Sequence, residues 1–385
     1  MPTYKENFLE KIEVQVPKET DVPFILDDWT LAFRLGFTGK TLWYILKHRR
    51  ELYREFMIKK KSGGLRRTFD PNDMMRLFQQ QMRARILLPL CSKLGEHVSA
   101  YQVGKSTVDA ARQHIRPCAI CDETTRPGTS PVKHRCPRQG VKFKLDLKDF
   151  FLSTRRSWIR QYFHEVVGYN HYVSSLLAQL LTTDYVDERQ RKRTGVPPGA
   201  LTAGDICNLV ANWKIDDALM KALPGWKYTR YADDLYFSHD KKLSSDDVNA
   251  AIKTAGDIIK ESGYRVNWKK LHVQYWTRPQ RFLGININRK LNVPAQEYRR
   301  MHNILYHAKK FGFEAQLTHA KKESLADLHA WITGKLNYFS QFAPEKTAKL
   351  RQMYADAKAA HQGETDAITM FEFKKGEVVP IKEVA

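Results

Sequence analysis

The sequence predicts an α+β chain of several subdomains, and three observations carry that prediction. Val141-Lys142-Phe143-Lys144-Leu145-Asp146-Leu147 alternates apolar and polar residues, the period of a half-buried strand. Trp226 to Ser238 reads as strand, tight turn, strand. Around these lie helical stripes: Ile206, Leu209, Val210 and Trp213, then Met301, Ile304, Leu305 and Ala308, then Leu325, Leu328, Ile332, Leu336 and Phe339.

Composition narrows the class. The 385 residues carry a net charge of +22, with 42% hydrophobic residues. A chain this long buries a sizeable core in two or three subdomains and is too apolar to be disordered. No apolar run approaches the ~18 residues of a membrane span, and Met1–Asn7 has no apolar stretch resembling a signal peptide. The expectation is a cytoplasmic protein with no membrane and a polyanionic partner.

In chain order, residues 1–50 read as helical after a polar start. Residues 56–69 form a β-hairpin through the basic turn Lys59-Lys60-Lys61-Ser62-Gly63-Gly64, and Met74–Leu94 is an amphipathic helix. Residues 155–183 are helical, and Gly195–Gly199 is a loop that opens the helix ending by Pro224. A helix over about 244–261 precedes a strand with Asn267, Lys269 and Lys270 and another strand over Arg281–Ile287. Two helices follow Pro294. The resulting division is 1–115, N-terminal helices and the basic hairpin; 116–140, a Cys/His insertion; 141–290, the strands and helices around Asp146 and Asp233; 295–350, helices; 351–385, tail.

The chemistry rests on carboxylates. Asp233 and Asp234 share a tight turn, and Asp146 lies on the polar side of another strand. Like charges forced together repel, and a hard divalent cation relieves the cost. If the strands are neighbours, the three carboxylates hold two Mg2+ ions roughly 3.5–4 Å apart, the geometry of nucleotidyl transfer. The bland alternative is an ordinary acidic surface turn.

Six segments in order resemble the motifs of reverse transcriptases, most closely the bacterial retron-type enzymes. They are Lys59–Arg66, Ser99-Ala100-Tyr101-Gln102-Val103-Gly104-Lys105-Ser106, Phe143–Phe151, Tyr231-Ala232-Asp233-Asp234, Asn267-Trp268-Lys269-Lys270 and Arg281-Phe282-Leu283-Gly284. The likeness spans about residues 25–345 and implies a right-hand polymerase with fingers within 1–115, a ferredoxin-like palm over 141–290 and a helical thumb over 295–350. It implies catalytic and metal-binding roles for Asp146, Asp233 and Asp234, and a proton donor to pyrophosphate at Lys269 or Lys270. It implies nucleotide contacts at Lys59, Lys60 or Lys61, Arg66, Asp149, Phe150, Phe151 and Gly199, with Phe151 excluding a ribose 2′-hydroxyl. Expected partners are a noncoding RNA template, a DNA product, dNTPs and an effector protein, with a homo-oligomer as an option. The expected role is anti-phage defence.

The chain departs from the family in places. Pro197-Pro198-Gly199 stands where Pro-Gln-Gly is usual, Ala203-Gly204 where Ser-Pro is usual, and Ala110-Ala111-Arg112-Gln113-His114 lacks the retron asparagine. Pro198 offers neither an amide side chain nor a backbone N–H. Rival readings are therefore template-independent or protein-primed DNA synthesis and a non-catalytic RNA-binding scaffold; an RNA replicase is disfavoured by Phe151. Separately, Cys118-x-x-Cys121 followed by His134-x-Cys136 has the donor set of a structural Zn2+ site, with His114 as an alternative to His134. Cys91 and Cys207 read as core residues.

Overall fold

The basic hairpin is the first pair of strands. β1 (Tyr53–Lys59) runs antiparallel to β2 (Leu65–Pro71), and Gly63 and Gly64 leave the turn at φ 83° and 79°. Glycine adopts that left-handed backbone without steric cost, so the Ser-Gly-Gly signal had a mechanism. The structure is a computed structural model and describes residues 21–59, 63–115, 140–187, 189–288 and 290–361. Lys60, Lys61 and the whole Cys118, Cys121, His134, Cys136 set therefore lie outside the described residues.

Helix α1 (Asp28–Leu35) starts in a capping box on Asp27 and ends at Gly36; α2 (Gly39–His48) starts on the Thr38 hydroxyl. Their buried residues Leu31, Leu35, Leu42 and Ile45 join the main core. α3 (Asp73–Met82) is capped by Asn72 and widens into a π turn, Arg83–Leu87, before a last helical turn to Cys91. α4 (Thr107–Gln113) begins in a Ser106–Asp109 capping box.

β3 (Val141–Asp146) is a central strand of the main sheet. α5 (Arg156–Gln161) and α6 (His171–Leu180) occupy the predicted helical stretch, separated by a π turn and by Gly168 at φ 92°. A small hairpin, β4 (Thr183–Val186) with β5 (Lys192–Gly195), precedes α7 (Ala203–Ala211). Then come β6 (Lys227–Tyr231), β7 (Asp234–His239), α8 (Ser245–Glu261) and β8 (His272–Tyr275).

The sheet order is β6-β7-β3-β8, all antiparallel. Numbered within the palm that is second, third, first, fourth, with helices after the first and third strands, which is the ferredoxin-like topology of a right-hand polymerase palm. One face carries Phe143, Leu145, Leu235, Phe237 and Tyr228. Phe143 stacks on Phe237 at 4.5 Å and meets Trp226 edge-on at 4.9 Å. The other face carries Lys142, Lys144 and Asp146, opposite Ser238, Tyr236 and Asp234.

That second face differs from the expectation of a half-exposed strand. Lys142 is 1% exposed and Asp146 3%. α4 explains the covering at one end: buried His114 uses one ring nitrogen on the Ser238 hydroxyl (2.7 Å) and the other on Thr229 (2.7 Å). With both nitrogens engaged inside the protein, His114 is not placed as the alternative zinc ligand. Two further differences are local. Trp268–Lys270 is a 3-10 turn rather than strand. The predicted strand 281–287 is a tight hairpin, Arg281–Phe282 against Ile285–Asn286, turned by Leu283 and Gly284 at φ 44° and 85°.

The chain divides into two compact units, residues 1–278 and 279–385. In the second, α9 (Ala295–Phe311), α10 (Leu325–Ser340) and α11 (Pro344–Ala360) pack through Met301, Ile304, Leu305, Leu328, Ile332 and Leu350. The sequence reading had two helices here. Pro344 is the first residue of a third, where its missing N–H costs nothing.

The most buried ion pair ties the sheet to its helices. Arg230 on β6 and Asp216, in the π turn Asn212–Asp216 after α7, are both fully buried, with bonds of 2.7–3.0 Å between them. Arg230 also donates to the Asn208 side chain (2.7 Å) and its carbonyl (3.1 Å), while Tyr228 donates to Asp216 (2.7 Å). Burial alone would raise the Asp216 carboxyl, but Arg230 and His97 overcome it and hold it well below the usual carboxylate range. Arg230→Met strands that carboxylate and should cost about 3–5 kcal/mol in urea unfolding at neutral pH. Because the folded value is depressed, wild-type stabilisation is complete above about pH 4 and declines as pH falls below it. The Arg230→Met curve should be flatter in that range; equal acid slopes in both proteins would contradict the pairing.

Candidate active site

The turn of the β6–β7 hairpin holds only Ala232 and Asp233, between the paired residues Tyr231 and Asp234. Ala232 has φ 56°, the left-handed backbone that a two-residue hairpin turn demands. The β3–β7 register sets Asp146 directly opposite Asp234. The Leu147 N–H, one residue beyond β3, donates to the Asp233 carbonyl at 2.8 Å. Carboxylate oxygens from Asp146, Asp233 and Asp234 consequently all lie within 4.8 Å of one another. The convergence expected from sequence is present.

Burial, then the neighbouring Asp234 and Asp146 charges, push the Asp233 carboxyl up to about 6. Asp234 is also raised, first by burial, against the opposing pull of Lys144. Two lysines offset the repulsion. The Lys144 ammonium pairs with Asp234 at 2.7 Å, and that of Lys270 with Asp146 at 2.7 Å. The bond to Asp146 comes first among the influences that raise Lys270. Asn267 fixes Asp146 twice: its side chain donates to Oδ1 (3.2 Å) and its backbone N–H to the Asp146 carbonyl (2.8 Å).

The chemistry of this donor set is clear from oxygen type and charge. Three carboxylates with no soft ligand suit a hard divalent cation that keeps room for water and phosphate oxygens. Asp146, Asp233 and Asp234 are the residues that would hold it.

The other predicted residues fall into separate groups. Lys270, not Lys269, reaches the carboxylates; Lys269 is exposed. Asp149 is exposed with φ 51° and opens the short helix Phe150–Ser153. The Phe150 ring is 3% exposed and lies 6.0 Å from the Arg230 guanidinium, so its side chain belongs to the core. Phe151 stays half-buried, with its ring 5.4 Å from Phe150 and 6.2 Å from Tyr101. Lys59 and Arg66 are exposed near the tip of the β1–β2 hairpin.

Gly199 has φ 108°, and a Cβ there would lie 2.3 Å from the Phe69 carbonyl oxygen. The Phe69 N–H donates to the Pro198 carbonyl at 2.7 Å. The Pro197-Pro198-Gly199 loop is thus laid against β2, a backbone approach that only glycine permits at 199.

Sequence reasoning gave no role to Lys144, Asn267 or Arg230. Lys144 was legible in principle, two residues from Asp146 on the same strand face. Asn267 and Arg230 act through long-range contacts with no local signature.

Residues 58–287 match the family model for reverse transcriptase (RNA-dependent DNA polymerase). The chain is 28% identical over 338 residues to the retron Mx65 reverse transcriptase of Myxococcus xanthus, covering 83% of this chain and 69% of the relative. It is 28% identical over 267 residues to the retron Mx162 reverse transcriptase of the same organism, covering 62% and 53% respectively. It is 22% identical over 336 residues to the retron Se72 reverse transcriptase of Salmonella heidelberg, covering 85% and 78%. No helix among the described residues is long and apolar enough to cross a membrane. With the family model spanning more than half of its length, the chain belongs to the reverse transcriptase family of RNA-dependent DNA polymerases.

Proposed function

We propose that this protein copies a dedicated noncoding RNA into DNA as a retron-type enzyme serving anti-phage defence. The observation that carries the polymerase chemistry is the meeting of Asp146, Asp233 and Asp234 within 4.8 Å. The retron relatives support the choice of template and the defence role.

Two Mg2+ ions are the cofactors proposed for the three carboxylates. When bound, they supply charge neutralisation at the attacking 3′-hydroxyl and the leaving pyrophosphate. The chain's own residues do the rest. Asn267 orients Asp146. Lys270 carries an ammonium next to the cluster, from which a proton can pass to pyrophosphate. Arg66 and Lys59 offer the triphosphate a guanidinium fork and an ammonium. The half-buried Phe151 ring is the group proposed to crowd out a ribose 2′-hydroxyl.

Pro198 favours a second reading, template-independent or protein-primed synthesis, because its carbonyl is taken by Phe69 and it has no amide to offer a template base. Purified protein assayed with dNTPs, with and without its copurifying RNA, separates the two. Product complementary to the RNA supports templated synthesis; equal product after RNase treatment supports the rival.

Asp233→Asn should abolish DNA synthesis by at least about 1000-fold while leaving RNA binding intact. The same change removes a like charge from a crowded site, so metal-free protein at pH 7 should gain about 1–3 kcal/mol in thermal or urea unfolding. A loss of stability would show that the carboxylates are not under mutual strain. Mg2+ affinity should fall as pH drops through about 6, because Asp233 must give up its proton to bind the ion. Calorimetric titration in buffers of different ionisation heat reads that proton, and a pH-independent affinity would contradict it. Phe151→Val should raise ribonucleotide incorporation relative to deoxynucleotide by about 10–100-fold; unchanged discrimination would place the gate elsewhere.

A further inference from the structure

The Tyr101 ring meets Phe151 and Gly204, and the motif reading gave it no role of its own. Its backbone is at φ 57°, in the left-handed region that non-glycine residues rarely adopt. The segment before it is locked. Val98 bridges to Arg230, the Ser99 N–H donates to the Arg230 carbonyl (3.1 Å), and the Asn208 side chain donates to the Ala100 carbonyl (2.7 Å). The chain is thus pinned to β6 and α7 up to the residue before Tyr101 and then turned sharply.

The turn delivers the ring to a prepared seat. Gly204, at the start of α7, lies against the ring, and a Cβ there would sit 2.3 Å from Tyr101 Cγ. Position 204 is also where this chain has glycine in place of the family's usual proline. The Tyr101 ring meets Phe151 edge-on at 6.2 Å, yet the residue is 49% exposed. Burial pushes its hydroxyl up, Asp233 adds to that, and Arg66 opposes it. The hydroxyl therefore feels both the carboxylate cluster and the basic hairpin. It has no hydrogen-bond partner among the described residues.

We propose that Tyr101 is a specificity residue of this polymerase, its ring forming with Phe151 the wall against which the sugar and base of the incoming deoxynucleotide pack. A ring held at an unfavourable backbone angle, seated on a glycine and left half open beside the reacting centre, is positioned for an aromatic contact with a ligand rather than for the core. Gly204 makes room for that ring. This inference rests on the reading of the carboxylates as a deoxynucleotide-transfer centre.

Steady-state incorporation by the full chain on its copurified RNA tests it. Tyr101→Leu should raise the KM for dNTP by about tenfold or more, with the primer-template KM unchanged. Tyr101→Phe keeps the ring and should stay within about twofold of wild type. Gly204→Ala displaces the ring and should reproduce the Tyr101→Leu effect; if that variant does not fold, the half-exposed Tyr101 pair still decides. An unchanged dNTP KM in Tyr101→Leu, or a defect confined to kcat or to primer-template affinity, would overturn the proposal. If wild-type protein incorporates no dNTP at all, the polymerase reading itself fails. If wild type is active and only the Tyr101 effect is missing, this inference alone fails.

Discussion

The register between β3 and β7 is the constraint on which the rest of the molecule depends. Asp146 opposite Asp234 is an unfavourable cross-strand pair, two carboxylates where a sheet would normally set opposite charges. A slip of one residue would separate them and would also turn Phe143 and Leu145 away from the core. Stacking of Phe143 on Phe237 and the apolar face around it therefore hold the acidic pair in place. Packing on one side of the sheet imposes a charge arrangement on the other that electrostatics alone would reject.

The helical layer contributes through Arg230. Its guanidinium joins the strand that ends at the acidic turn to the helix that starts beside Gly204. The π turn at Asn212–Asp216 places Asp216 on Arg230 of β6 and Asn212 on His97, whose carbonyl accepts from the Arg230 N–H. Wider helical turns of this kind recur near functional sites because they re-aim side chains that a regular helix would leave pointing elsewhere. A buried ion pair is weak evidence for stability in itself, but losing one partner is expensive. The network therefore makes the position of the hairpin an all-or-none property.

Much of the palm was legible because its signals are local. The alternation of 141–147 and the strand, tight turn, strand of 226–238 each state their structure within a few residues. What escaped depends on partners far along the chain. The polar face of β3 reads as solvent-facing until α4 is known to cover it. Lys269 and Lys270 are indistinguishable until the 3-10 turn chooses which one meets Asp146. Phe150 and Phe151 are equivalent rings until Arg230 and Tyr264 claim the first for the interior. Pro344 could end one helix or begin the next, and only the packing of α11 decides.

Lys144 and Lys270 act as resident counterions. A zinc finger draws its folding free energy from the metal, so it stays unfolded until the ion arrives. Here each lysine already supplies a positive charge at hydrogen-bonding distance, and the sheet can assemble around its acidic end without waiting for an ion. A divalent cation taken up by the three carboxylates would then meet a fold that is already formed.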